Sequence, residues 1–101
     1  MKRTHTCGEL TGDDVNKKVT LAGWCSTRRD HGGVIFIDLR DRYGLTQVVF
    51  DPSFNIESHK KAEKLGREDV IQVQGIVKPR KKGMENQKLR TGAIEVFVEN
   101  I

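Results

Sequence analysis

Val34-Ile-Phe-Ile-Asp-Leu-Arg40 alternates Ile35, Ile37 and Leu39 with Phe36, Asp38 and Arg40. A period of two is the mark of a strand with one face on a core and the other on solvent. If the aliphatic set points inward, Phe36 points outward, between Asp38 and Arg40 on its own strand. An outward aromatic among charges is the feature from which the rest of the reading grows.

The same alternation recurs on both sides. Lys18–Trp24 sets Val19 and Leu21 on one face, and Thr46–Phe50 sets Val48 and Phe50 against Gln47 and Val49. Val70–Val77 sets Ile71, Val73 and Val77 against Gln72 and Gln74, and Ala93–Glu99 sets Ile94, Val96 and Val98 against Glu95, Phe97 and Glu99. Turn residues separate these five runs: Asp30-His-Gly-Gly33, Asp41-Arg-Tyr-Gly44, Pro79 and Thr91-Gly92. One helix is expected at Ile56–Leu65, capped by Ser58 and stopped by Gly66. A short helical turn is expected near Thr11–Val15, with Asp13 and Asp14 in its first turn. Five strands with a helix between the third and fourth is the order of the OB-fold, an all-β Greek-key barrel. The 101 residues are expected to form one such domain.

That fold binds oligonucleotides on its second and third strands, walled by the loops after strands one and four. Here the walls are Arg28–Gly33, with Arg28, Arg29 and His31, and Pro79–Gly92, which carries Arg80, Lys81, Lys82, Lys88 and Arg90 against Glu85 alone. Lys78 and Arg80, at the entry to the second loop, are expected to meet phosphates. The net charge of +4 suits a nucleic-acid partner without requiring one. Phe36 is a platform on which a base can stack, or else a residue packed under the helix or a neighbouring domain. Gln47 carries both donors and an acceptor for a pyrimidine edge, or is simply solvated. Glu95, a carboxylate beside a phosphate site, can accept from guanine N1–H and N2–H; a solvated strand glutamate is the alternative.

Other classes find little support. No apolar run approaches a membrane span, and the basic start Met1-Lys-Arg3 leads into no signal-peptide core. Cys7 and Cys25 lack metal-ligand spacing and are expected to be buried thiols. No nucleophile has an evident base partner, and no P-loop or dinucleotide glycine pattern occurs. The domain is expected to bind and not to react. A free-standing single-strand binder and a protein-binding OB domain remain alternatives.

Six segments sharpen the reading: Thr6–Leu10, Val19–Trp24, Arg28–Gly33, Ile35–Asp41, Gln47–Pro52 and Thr91–Val96. Together they resemble the N-terminal anticodon-binding domain of bacterial-type aspartyl-tRNA synthetases, over essentially the whole chain. The resemblance implies that Phe36 stacks on the middle anticodon uridine, that Gln47 and Arg29 contact it, and that Glu95 reads the first-position guanine. Lys78 and Arg80 fall where the family often has two arginines. His31 and Gly83 resemble the non-discriminating subtype, which charges both tRNA-Asp and tRNA-Asn with aspartate. The resemblance further implies a cytoplasmic parent, an ATP- and Mg2+-dependent aspartate–tRNA ligase of protein biosynthesis. Its catalytic domain, C-terminal to this piece, would form a homodimer. This domain is then expected to need no cofactor and to be monomeric.

Overall fold

The computed structural model describes residues 3–101; Met1 and Lys2, the start of the basic N-terminus, lie outside the described residues. Five strands close into a barrel: β1 (Lys18–His31), β2 (Val34–Asp41), β3 (Gly44–Phe50), β4 (Val70–Pro79) and β5 (Ile94–Asn100). The order around the barrel is β1-β2-β3-β5-β4, with only β3 and β5 parallel. Helix α1 (Ile56–Ala62) lies between β3 and β4, and a 3-10 turn at Gly12–Asp14 precedes β1. No helix among the described residues is long and apolar enough to cross a membrane.

The alternating aliphatic residues fill the interior. Leu21, Ile37, Leu39, Val48, Phe50, Val73, Val77, Ile94, Val96 and Val98 are all fully buried. Ala62 of α1 and Leu10 of the N-terminal segment join this core. Ser58 Oγ donates to Val98 O at 3.0 Å, tying α1 to β5. Both thiols are buried and free, and burial, with the nearby Asp41 carboxylate, pushes Cys7 up to about 12. Such a thiol is protonated and unreactive at neutral pH.

Two expectations about boundaries change. Helix α1 starts at Ile56 as expected, but Asn55 is the cap, its side chain accepting from Ser58 N at 2.9 Å, and Ser58 lies inside the helix. The helix ends at Ala62, before Gly66. The second change concerns β1, which does not stop at Trp24. Its first half pairs with β4 and its second half with β2, and a bulge between Cys25 and Thr27 turns the corner. A bulge adds one residue to one strand and so reverses which parity faces the core. Gly23, just before the corner, has no room for a side chain, since a Cβ there would lie 2.3 Å from Arg40 O. The expected loop after β1 shrinks to the two-residue turn Gly32-Gly33. Its φ values, 59° and 82°, suit the twist of a hairpin.

The N-terminal segment is pinned by one carboxylate. Asp41 accepts from Cys7 N at 2.9 Å, Tyr43 N at 2.8 Å and Gly44 N at 3.1 Å. Burial alone would raise the Asp41 carboxyl, but these backbone donors outweigh it and hold the pKa below the ordinary value.

Candidate nucleic-acid interface

Strand register sorts the outward residues into two rows running across the barrel. Pairing aligns Arg29 with Phe36, Phe36 with Val49, Val49 with Phe97, and Phe97 with Ile76. The neighbouring row runs Thr27, Asp38, Gln47, Glu95, Lys78. One row is mainly apolar and the other polar, so a base stacked on the first would present its edge to the second. A cleft of about 590 Å³ lies over both rows.

From Thr27 to Glu95 the polar row is linked by hydrogen bonds, through Arg29 of the neighbouring row. Thr27 Oγ1 donates to Asp38 Oδ2 at 2.6 Å. Arg29 Nη1 donates to Asp38 Oδ2 at 3.1 Å, and its Nη2 to Gln47 Oε1 at 3.0 Å. Gln47 Nε2 donates to Glu95 Oε1 at 2.7 Å. Gln47 and Glu95 are each only 8% exposed, so neither is a solvated surface residue. Burial pushes the Glu95 carboxyl up, against the Gln47 bond and the charges of Arg80 and Lys81. Burial also acts on Asp38, but there the bonds from Arg29 and Thr27 prevail and hold it low. Two carboxylates of one row are thus held in opposite directions, because only Asp38 has a guanidinium hydrogen-bonded to it.

Of the nine residues singled out, Arg29, His31, Phe36, Gln47, Arg80 and Glu95 line the cleft. Arg80 is anchored by its Nε, which donates to Ile94 O at 3.1 Å. Lys78 sits beyond Phe97, its Nζ 5.5 Å from the ring centres of Phe54 and Phe97. Gly83 lies in the loop between β4 and β5 with φ 86°, and the neighbouring Met84 reaches the cleft instead.

Arg28 is turned away from the cleft. After the bulge it pairs with the inward Ile37, and its Nη1 reaches the carbonyl oxygens of Ala62, Glu63 and Leu65 at 3.1, 3.1 and 2.6 Å. Ala62 O also accepts from Leu65 N at 3.0 Å, and the Glu63 and Leu65 carbonyls follow the end of α1, where a cation is favoured. Asp30 completes the arrangement, accepting from Arg28 Nε at 2.9 Å. Arg28→Ala is expected to lower domain stability by ~1 kcal/mol while leaving RNA affinity within about twofold, measured by denaturant unfolding and anisotropy. A larger loss of affinity than of stability would return Arg28 to the interface.

Sequence reading missed two residues of this face: Phe97, which lines the cleft, and Asp38, which bonds Arg29 at its margin. Alternation had placed Asp38 and Phe97 outward, which is the signal available for them. Their register against Gln47 and Val49 is not visible in one strand.

Residues 19–101 match the tRNA anticodon family, described as an OB-fold nucleic acid binding domain. The chain is 58% identical to the aspartate–tRNA(Asp/Asn) ligase of Protochlamydia amoebophila over 99% of its own length and 17% of the relative's. It is also 58% identical to the ligase of the same name from Desulfatibacillum aliphaticivorans, over its full length and 17% of the relative's. The chain therefore spans about a sixth of the curated relatives it matches. Among solved structures it is similar to an asparaginyl-tRNA synthetase from Pyrococcus horikoshii complexed with asparaginyl-adenylate. The TM-score is 0.80 and the identity 37%, covering 99% of this chain and 22% of that one. With a closed five-stranded barrel, a cleft on its second and third strands and a family match over most of its length, the chain belongs to the tRNA anticodon family of OB-fold nucleic acid binding domains.

Proposed function

We propose that this domain reads the anticodon of tRNA-Asp for an aspartate–tRNA ligase whose ATP-dependent catalytic part lies outside this chain. The observation that carries the reading is the adjacency of Phe36, Gln47 and Glu95 on one face, with Arg29 and Arg80 at the margins. The middle uridine stacks on Phe36 and meets Gln47. The first-position guanine donates N1–H and N2–H to Glu95, whose carboxylate keeps free lone pairs beside the Gln47 bond. Arg29, Arg80 and Lys78 neutralise the loop phosphates. The names of the ligases from Protochlamydia and Desulfatibacillum support extending the substrates to tRNA-Asn. His31 at the cleft and Gly83 in the loop are the residues proposed to relax reading of the third base, where the two anticodons differ.

The direct test is anisotropy with a labelled anticodon stem-loop at several salt concentrations. A GUC loop is expected to bind more tightly than a scrambled loop, with affinity falling as salt rises. Equal binding of both loops sinks the anticodon reading. Phe36→Ala is expected to weaken GUC binding by ~1–3 kcal/mol with the circular dichroism spectrum intact. Unfolding of that variant would instead make Phe36 a structural residue. Binding of a GUU loop within a few-fold of GUC supports the broader substrate range, and a strong preference for GUC removes it.

A further inference from the structure

We propose that Asp38 is a positioning residue that locks the Gln47 amide in one orientation, and that this lock is what separates uracil from cytosine at the middle position. The proposal rests on the anticodon reading and adds a residue that does not touch the base.

The orientation of a glutamine amide matters here because the two pyrimidines are mirror cases. Uracil presents an acceptor, O4, beside the N3–H donor; cytosine presents the N4–H donor beside an acceptor, N3. An amide that is free to turn over offers its oxygen and nitrogen in either order and accommodates both edges. An amide held one way matches one of them and sets donor against donor with the other.

In this barrel the amide is held at both ends by partners with no choice of role. Arg29 is donor-only, so the atom 3.0 Å from its Nη2 must be the Gln47 oxygen. Ionised Glu95 is acceptor-only, so the atom 2.7 Å from its Oε1 must be the nitrogen. One lone pair and one N–H of Gln47 remain for a base. The two ends differ in permanence. Glu95 is itself offered to guanine, and its carboxyl is pushed up by burial. The Arg29 end depends chiefly on Asp38, with Thr27 Oγ1 also accepting from Arg29 Nη1 at 3.2 Å. Half of the Arg29 side chain is exposed, and Asp38, 17% exposed, holds Nη1 at 3.1 Å and Nη2 at 3.4 Å. Asp38 is in turn fixed by the Thr27 hydroxyl at 2.6 Å. A carboxylate beside an RNA cleft repels phosphate, and its place here is accounted for by what it does to Arg29.

The test compares GUC and GCC stem-loops on the wild-type domain, Asp38→Asn and Thr27→Val, with 15N side-chain amide spectra of Gln47 in each. The wild type is expected to prefer GUC by roughly 5–100-fold. Asp38→Asn keeps the shape but loses the two-toothed grip on Arg29, and is expected to bring the two loops within about threefold of each other. Its Gln47 amide protons should exchange with solvent faster than in the wild type. Thr27→Val should move both readouts the same way by less. If both variants weaken GUC and GCC by the same factor, Asp38 serves only charge balance or the fold, and the proposal is overturned. A wild-type domain indifferent to GUC and GCC overturns the anticodon reading itself.

Discussion

Glu95→Gln is expected to abolish the preference for guanine at the first anticodon position while leaving the domain at least as stable as the wild type. The carboxylate accepts both guanine donors; glutamine offers one oxygen, and its nitrogen faces a donor. Losing a charge-assisted bidentate contact costs ~3 kcal/mol, on the order of a hundredfold in affinity for a GUC loop. Stability moves the other way. The folded-state pKa of Glu95 lies above the ordinary value of 4.5, so the buried carboxylate destabilises the folded state once ionised. Its contribution to stability is therefore lost as pH rises from the unfolded pKa through the raised folded one, and glutamine removes that loss. RNA binding has the opposite sign, since guanine needs the ionised form. Affinity of the wild type for GUC is expected to fall on acidification with a midpoint above 4.5, and Glu95→Gln should lack that step. An unchanged GUC-to-AUC affinity ratio in the variant would remove Glu95 as the guanine reader.

Asp41→Ala is expected to be the most damaging of these substitutions to the fold. Asp41 is 9% exposed and accepts from three backbone N–H groups, joining the β2–β3 hairpin to the N-terminal segment. Alanine leaves the buried Cys7 N–H without an acceptor and releases two turn donors to water, at a cost of ~3 kcal/mol. For a domain of this size that is a fall in Tm of roughly 12–24 °C, measurable by calorimetry or circular dichroism. Asp41→Asn should also be harmful, since one of its two polar atoms is a donor facing N–H donors. The folded-state pKa is depressed, so the stabilisation from Asp41 is full above the unfolded pKa and is lost as pH falls through the folded one. A Tm within about 3 °C of wild type for both variants would show that the N-terminal segment is held by other bonds.

The sequence by itself determined the barrel. The five alternating runs align Leu21, Ile37, Val48, Val73 and Val96 on one face of their strands, and burying those faces together leaves little choice but a closed all-β shell. The same parity sufficed to put Phe36, Gln47 and Glu95 on the outer face, because a side chain's face follows from counting along its own strand. It also indicated that two basic segments flank that face, as Arg29 at the end of β1 and Arg80 and Lys81 after β4 now do.

Only the tertiary structure decided what those outward residues do to one another. Counting within a strand says nothing about register between strands, and register is what sets Asp38 opposite Gln47 and Glu95 beside it. Hence the hydrogen-bonded row, and with it the role of Asp38, was not readable from any one segment. The adjacent arginines show the same limit. In the sequence Arg28 and Arg29 are equivalent, and both were expected at the RNA wall. The bulge at Cys25/Thr27 adds one residue to β1, which no local pattern marks, and so reverses the parity beyond it. Arg29 then faces the cleft, and Arg28 turns to the carbonyl end of α1.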